Sequence, residues 1–235
     1  MNRPARRWPI AHLLLTTHLP FLAVCLAGLI LLAWLILGGV SAFGSVRISA
    51  LDVGGPFLRW LALGYGYHLL ATMLPTFLVH GRTRREYLLQ VPVFQLVTTA
   101  VLAGMTTLGY AAETVLYRAA GWPHQLAQDR LYDNTGDYLL IFGNYWTMLL
   151  GWMVTGWFLG AAFYRFQVGG VLALPVALGL LLANATGDLP IVDAGQWHQD
   201  LGVPVALALA AGGTVVAAVL CWAIARDMPL HTRTS

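Results

Sequence analysis

The chain contains no lysine; all 13 of its basic residues are arginine. A Walker A phosphate loop places a lysine on the β- and γ-phosphates, so this chain cannot hydrolyse ATP through one. Schiff-base chemistry on a lysine amine is excluded for the same reason. Charge of either sign is scarce, at 10% of residues, where soluble domains carry about 25%. With 58% hydrophobic residues and a mean hydropathy of +0.69, the chain reads as a polytopic membrane protein. Cys25 and Cys221 fall inside apolar runs with no partner at metal-ligand spacing, which fits two small buried hydrophobes. Hydrolase signatures are also missing: there is no His-Glu-x-x-His helix and no Gly-x-Ser-x-Gly elbow. Asp137 and Asp188 follow glycines at loop edges, without the paired motifs of aspartyl proteases. His12, His18, His68 and His80 offer no obvious pair at one depth for haem.

What is present is a series of apolar runs. A spanning helix needs about 20 mostly apolar residues, and six such spans are predicted, over residues 21–40, 57–79, 88–107, 138–163, 168–184 and 203–225. The expected fold class is all-α: one transmembrane domain of six helices over residues 1–235. Residues 9–19 precede the first span, and His18 with Pro20 divides them from it. Proline starts helices and breaks their interiors, so 9–19 is predicted as a separate N-terminal interfacial helix. Residues 41–56 read as a polar loop. The helical pattern after 107 continues to Ala120, and residues 164–167 read as a tight turn. Residues 185–202 form an acidic loop with Asp188, Asp193 and Asp200.

An even number of spans puts both termini on one side. That side would carry Arg3, Arg6, Arg7, Arg82, Arg84, Arg85, Arg165, Arg226 and Arg233, against Arg47, Arg59, Arg118 and Arg130 on the other. The positive-inside rule makes the arginine-rich side cytoplasmic. The expected location is therefore the cytoplasmic (inner) membrane, multi-pass, with both termini cytoplasmic. The arginines fall at span ends, so a pI near 9.1 points to the lipid bilayer and not to nucleic acid.

The densest charge is His80-Gly81-Arg82-Thr83-Arg84-Arg85-Glu86, between the second and third spans. Gly81 is a helix-ending glycine, and Thr83 with Glu86 forms a Thr-x-x-Glu capping box that opens the next helix. The stretch is predicted as a capped cytoplasmic corner. Ionisable groups inside a membrane are functional candidates, which singles out His68, and Glu113 near the outer edge. His68, with Tyr65, Tyr67, Asn144 and Tyr145, is a candidate lining of a translocation path. Equally, His68 and Asn144 fit hydrogen bonds that hold spans together. Glu113 fits an outer-side functional group, or an interfacial residue solvated or paired with Arg118.

Gly81-Arg82-Thr83-Arg84-Arg85-Glu86-Tyr87, directly after the second span, resembles the Gly-x-Ser/Thr-Arg-Arg/Lys-x-aromatic stretch of ABC-2 type ABC transporter permeases. The six-span plan and the basic N-terminal segment are similar to that family as well. His80 departs from the asparagine often found there, and the acidic stretch after the fifth span replaces a hydrophobic re-entrant hairpin. The resemblance implies a permease subunit of an exporter for a small hydrophobic or amphipathic compound such as a drug, antibiotic or lipid. It implies no enzyme and no cofactor on this chain, with ATP and Mg on a separate nucleotide-binding ATPase subunit. It further implies contact with that subunit through 81–86, and a second permease subunit, a homodimer in preference to a heterodimer. The alternative reading is a non-transporting membrane sensor, anchor or assembly factor.

Overall fold

The computed structural model describes residues 8–43, 46, 48–126, 132, 134–184 and 203–227. The expectations about Arg3, Arg6, Arg7, Arg47, Arg130, Arg233 and the acidic stretch 185–202 lie outside them. The described residues are helical apart from turns and one isolated bridge between Ile48 and Gln125. Among the described residues, five helical stretches are long and apolar enough to cross a membrane.

Helix α1 runs unbroken over Pro9–Phe43, with Pro20 inside it. This corrects the separate interfacial helix expected at 9–19. A proline removes a single backbone bond, a loss that neighbouring helices can absorb in a membrane bundle. Here the buried residues Ile10 and Leu14 before Pro20, and Leu22 and Leu26 after it, keep one four-residue-spaced stripe. The stripe packs as one face, so the helix continues through the proline. At its start, Gln90 Oε1 accepts from the Ile10 and Ala11 N–H groups at 2.8 and 3.2 Å, satisfying two donors that a helix N-terminus leaves orphaned.

Helix α2 is Ala50–His68, followed by a π-helical turn Leu69–Met73 and a short helix α3, Leu74–Val79. The start at Ala50 corrects the loop expected through residue 56. Ser49 is the N-cap and accepts from the Asp52 N–H at 3.2 Å. Helix α4, Arg84–Ala120, ends at Gly121, which takes φ +69. Helix α5, Tyr138–Phe166, stops at Gln167, a non-glycine residue at φ +48. A 3₁₀ stretch, Gln167–Ala173, then leads into α6, Leu174–Ala183. The chain doubles back there: a Cβ on Gly170 would meet Phe163 Cα at 2.8 Å, and one on Gly151 would overlap the Asn184 side chain. Helix α7 covers Val203–Ala225.

Helix α5 is the centre of the bundle and packs against α2, α4, α6 and α7, while α1 lies on α4 and α2. Its crossing with α2 brings backbones into contact. A Cβ on Gly66 would overlap the Met153 carbonyl, and one on Gly156 the Leu63 carbonyl. Small residues that let backbones approach are how helices pair where no hydrophobic effect drives them together. The core falls into three layers along the bundle. One holds Ile10, Leu74, Tyr87, Trp157 and Ala225, the next Leu26, Leu58, Tyr110 and Trp152, and the last Leu37, Val46 and Tyr117.

Candidate functional site

The arginine corner is built from two complete helix caps set back to back. After α3, the Gly81 N–H donates to the Leu78 carbonyl and the Arg82 N–H to the Phe77 carbonyl, both at 3.0 Å, with Gly81 at φ +78. These are the paired hydrogen bonds of a Schellman cap, which favours a left-handed glycine. The His80 Nδ1–H donates to the Thr76 carbonyl at 2.7 Å. Thr83 then opens α4: its hydroxyl accepts from the Glu86 N–H at 3.1 Å, and Glu86 Oε2 accepts from the Thr83 N–H at 3.5 Å. Arg82 and Glu86 pair at 3.7 Å in an exposed contact. Such a contact contributes little stability. Arg84 and Arg85 have no ion-pair or hydrogen-bond partner among the described residues. Arg165 lies at the same end, donating from Nη1 to the Ile224 carbonyl at 2.9 Å, and Arg226 follows directly.

Behind the corner sits Tyr87, fully buried. Its ring lies 5.3 Å from that of Phe77, and its hydroxyl donates to the Leu69 carbonyl in the π-helical turn. One turn before that carbonyl, Tyr65 is flanked by His68 at 6.1 Å and by His18 of α1 at 5.9 Å. Tyr67 is 41% exposed and packs on Phe163, away from this group.

A second polar cluster lies at the opposite end. Glu113 is wholly buried and accepts from the Ser49 hydroxyl and the Ala50 N–H, each at 2.6 Å. The carboxylate of α4 thereby serves the first turn of α2, where negative charge is favoured. Arg118 is exposed and is not its partner. His124 Nε2 lies 3.4 Å from the same carboxylate, and its ring stacks on Tyr117 at 4.5 Å. Alongside, the Tyr110 hydroxyl lies 3.3 Å from those of Tyr132 and Tyr145 and 3.4 Å from Asp52 Oδ1. Nucleophilic catalysis needs the serine hydroxyl beside its base. Here Ser49 and His124 both turn to one carboxylate oxygen, an arrangement that fastens helices.

The five path candidates therefore do not share one place. Tyr65 and His68 stand together and Tyr145 belongs to the distant tyrosine cluster. Asn144 is buried, and neither its Oδ1 nor its Nδ2 has a hydrogen-bond partner among the described residues; the side-chain amide of Gln95 on α4 is in the same situation. Ser49, Asp52, Tyr110, His124 and Gln90 are not among the site residues predicted from sequence; Asp52 and His124 read there as loop residues. Of these only Ser49-x-x-Asp52 leaves a local signal, a cap spacing. Arg59, read as an outer-side charge, is 4% exposed inside α2, with its guanidinium 5.3 Å from the Trp152 ring centre. No family model, no curated protein and no solved structure matches the chain.

Proposed function

We propose that the chain is the transmembrane subunit of an ATP-driven exporter of the ABC-2 type, moving a small hydrophobic or amphipathic compound across the cytoplasmic membrane. It lies in the bilayer with six spans, the Tyr138–Ala183 hairpin supplying two, and both ends face the cytoplasm. A second copy completes the path, and a separate nucleotide-binding subunit carries ATP and Mg. The observation that carries this reading is the corner itself. A two-capped turn is stiff, it presents Arg84 and Arg85 without partners among the described residues, and it stands at the same end as Arg165 and Arg226. A lysine-free chain has no Walker A motor of its own, so an external motor must push on such an element.

In this mechanism, closure of the ATPase subunits presses on the corner and tilts α3 and α4. The two permease chains then exchange inward-open and outward-open states around a path near His68 and Asn144. A ligand drives such an exchange only through different affinity for the two states. The unpartnered amide of Asn144 is suited to a group that meets water or cargo in the other state.

The test is co-purification of the chain from its native membrane with a P-loop ATPase. Arg84→Glu with Arg85→Glu is expected to release that partner and abolish its stimulation by the permease. A chain that purifies alone, or a complex indifferent to both charge reversals, sinks the proposal and leaves the membrane anchor or sensor as the reading.

A further inference from the structure

Tyr87 is bonded at both of its ends. Its backbone N–H donates to the carbonyl of Thr83, the N-cap of the corner, at 3.1 Å. Its hydroxyl donates to the carbonyl of Leu69, the first residue of the π-helical turn. Both Tyr87 and Leu69 are wholly buried, so water does not compete for the bond. A π-turn holds one more residue than an α-turn and recurs at functional sites. Two features hold it here. Pro75 lacks an N–H and would clash with the carbonyl four residues back in a regular helix, and a wider turn just ahead relieves that clash. Two carbonyls in the widened stretch accept from side-chain hydroxyls: Tyr87 serves Leu69, and Thr76 Oγ1 donates to Thr72 at 2.9 Å.

The position of that turn decides where α2 points. Losing the extra residue of a π-turn rotates the helix on one side of it by about 100° relative to the other. The residues just before it are Tyr65 and His68, which face His18 of α1. We infer that Tyr87 is a positioning residue that pins the π-turn, making the arginine corner and the Tyr65–His68 face of α2 one mechanical unit. A push on α4 at Thr83 is delivered to α2 above the turn, and not only to the loop. The linkage belongs to this chain alone. Only its use by a docked ATPase rests on the permease reading.

Hydrogen–deuterium exchange on the full chain in lipid nanodiscs tests it. Tyr87→Phe keeps the ring and deletes the bond. Amide exchange across 69–74 is expected to rise about fivefold, the loss of one ordinary hydrogen bond, with α5 and α7 unchanged. Removing the capping box with Thr83→Ala and Glu86→Ala should speed exchange at 84–88 in any background. It should speed exchange at 69–74 only while the Tyr87 hydroxyl is present, since linked groups are non-additive. Pro75→Ala, which lets the turn regularise, gives a second route: it should slow exchange at 71–74 and quicken it at 84–88. An unchanged 69–74 segment in Tyr87→Phe, additive effects, or equal acceleration in every helix overturns the inference. If Tyr87→Phe does not fold, a Pro75→Ala chain with unaltered exchange at 84–88 overturns it equally. All of these are read without the ATPase, so a failed partner search and a failed linkage are distinguishable outcomes.

Discussion

Glu113 shows how much a single buried side chain can hold. Its carboxylate accepts from the wholly buried Ser49 hydroxyl and from the half-buried Ala50 N–H, each at 2.6 Å. Glu113→Ala strands them. Each orphaned donor costs about 1–3 kcal/mol, so the variant should melt well below the parent in a detergent thermal-shift assay. Glu113→Gln, which keeps an acceptor oxygen, should lose less. Equal losses in the two variants would mean that packing, and not acceptance, is the role of residue 113. Asn144 predicts the opposite sign. Both of its side-chain polar atoms are buried without partners among the described residues, so Asn144→Leu should leave the melting temperature unchanged or raise it. A pronounced fall would show that the amide is satisfied in the membrane. The two residues also differ in legibility. The corner could be read from sequence because Thr83 and Glu86 are three residues apart. The Glu113 contacts join residues 63 and 64 apart in the chain, and no local pattern announces them.

At the scale of elements, the same limit explains which helices were legible. The cores of the apolar runs and the extension of α4 to Ala120 follow from composition, because a membrane helix must be apolar over its length. The start of α2 does not. Gly54, Gly55 and Pro56 look like loop residues, yet the helix begins at Ala50 because Ser49 caps it and Glu113 reaches its first turn from α4. Pro20 misled in the other direction, since the burial of one stripe on both sides of it outweighs one lost backbone bond. The pairing of α2 with α5 is an element-scale property with a sharp test. Gly64 and Gly66 are two residues apart, but a Cβ at Gly64 meets nothing within 4 Å, whereas one at Gly66 overlaps the Met153 carbonyl. Gly64→Ala should be neutral or stabilising by up to about 1 kcal/mol through helix propensity. Gly66→Ala should destabilise by about 2 kcal/mol or more, as overpacking against rigid backbone does. Matched unfolding in mixed micelles separates them, and similar values for the pair would mean that α2 and α5 do not cross at this point.

At the scale of the whole molecule, the placement of charge has to agree with the packing. Gln90 binds the start of α1, and Arg165 binds the carbonyl of Ile224 near the end of α7. Together with the corner, these contacts gather Arg82, Arg84, Arg85, Arg165 and Arg226 at one end, with Arg118 near the other. That end is the one the positive-inside rule would hold in the cytoplasm. The exposed apolar residues of α4 run from Leu89 to Leu116, a rise of about 40 Å, against a hydrocarbon core of about 30 Å. The helix must therefore tilt, or carry its last turns into the interface. In either case Ala119, an exposed residue in the last turn of α4, is expected at the far surface. In a chain carrying Cys25→Ala and Cys221→Ala, a cysteine at 119 should react with a membrane-impermeant maleimide on intact cells. A cysteine at 82 should react only after the cells are opened. The reverse pattern would turn the corner outward, where no ATP-driven subunit could reach it, and the permease reading would fall with the orientation. Labelling of both positions from one side would instead place residues 84–120 on the membrane and not across it, which the length of α4 and its apolar surface argue against.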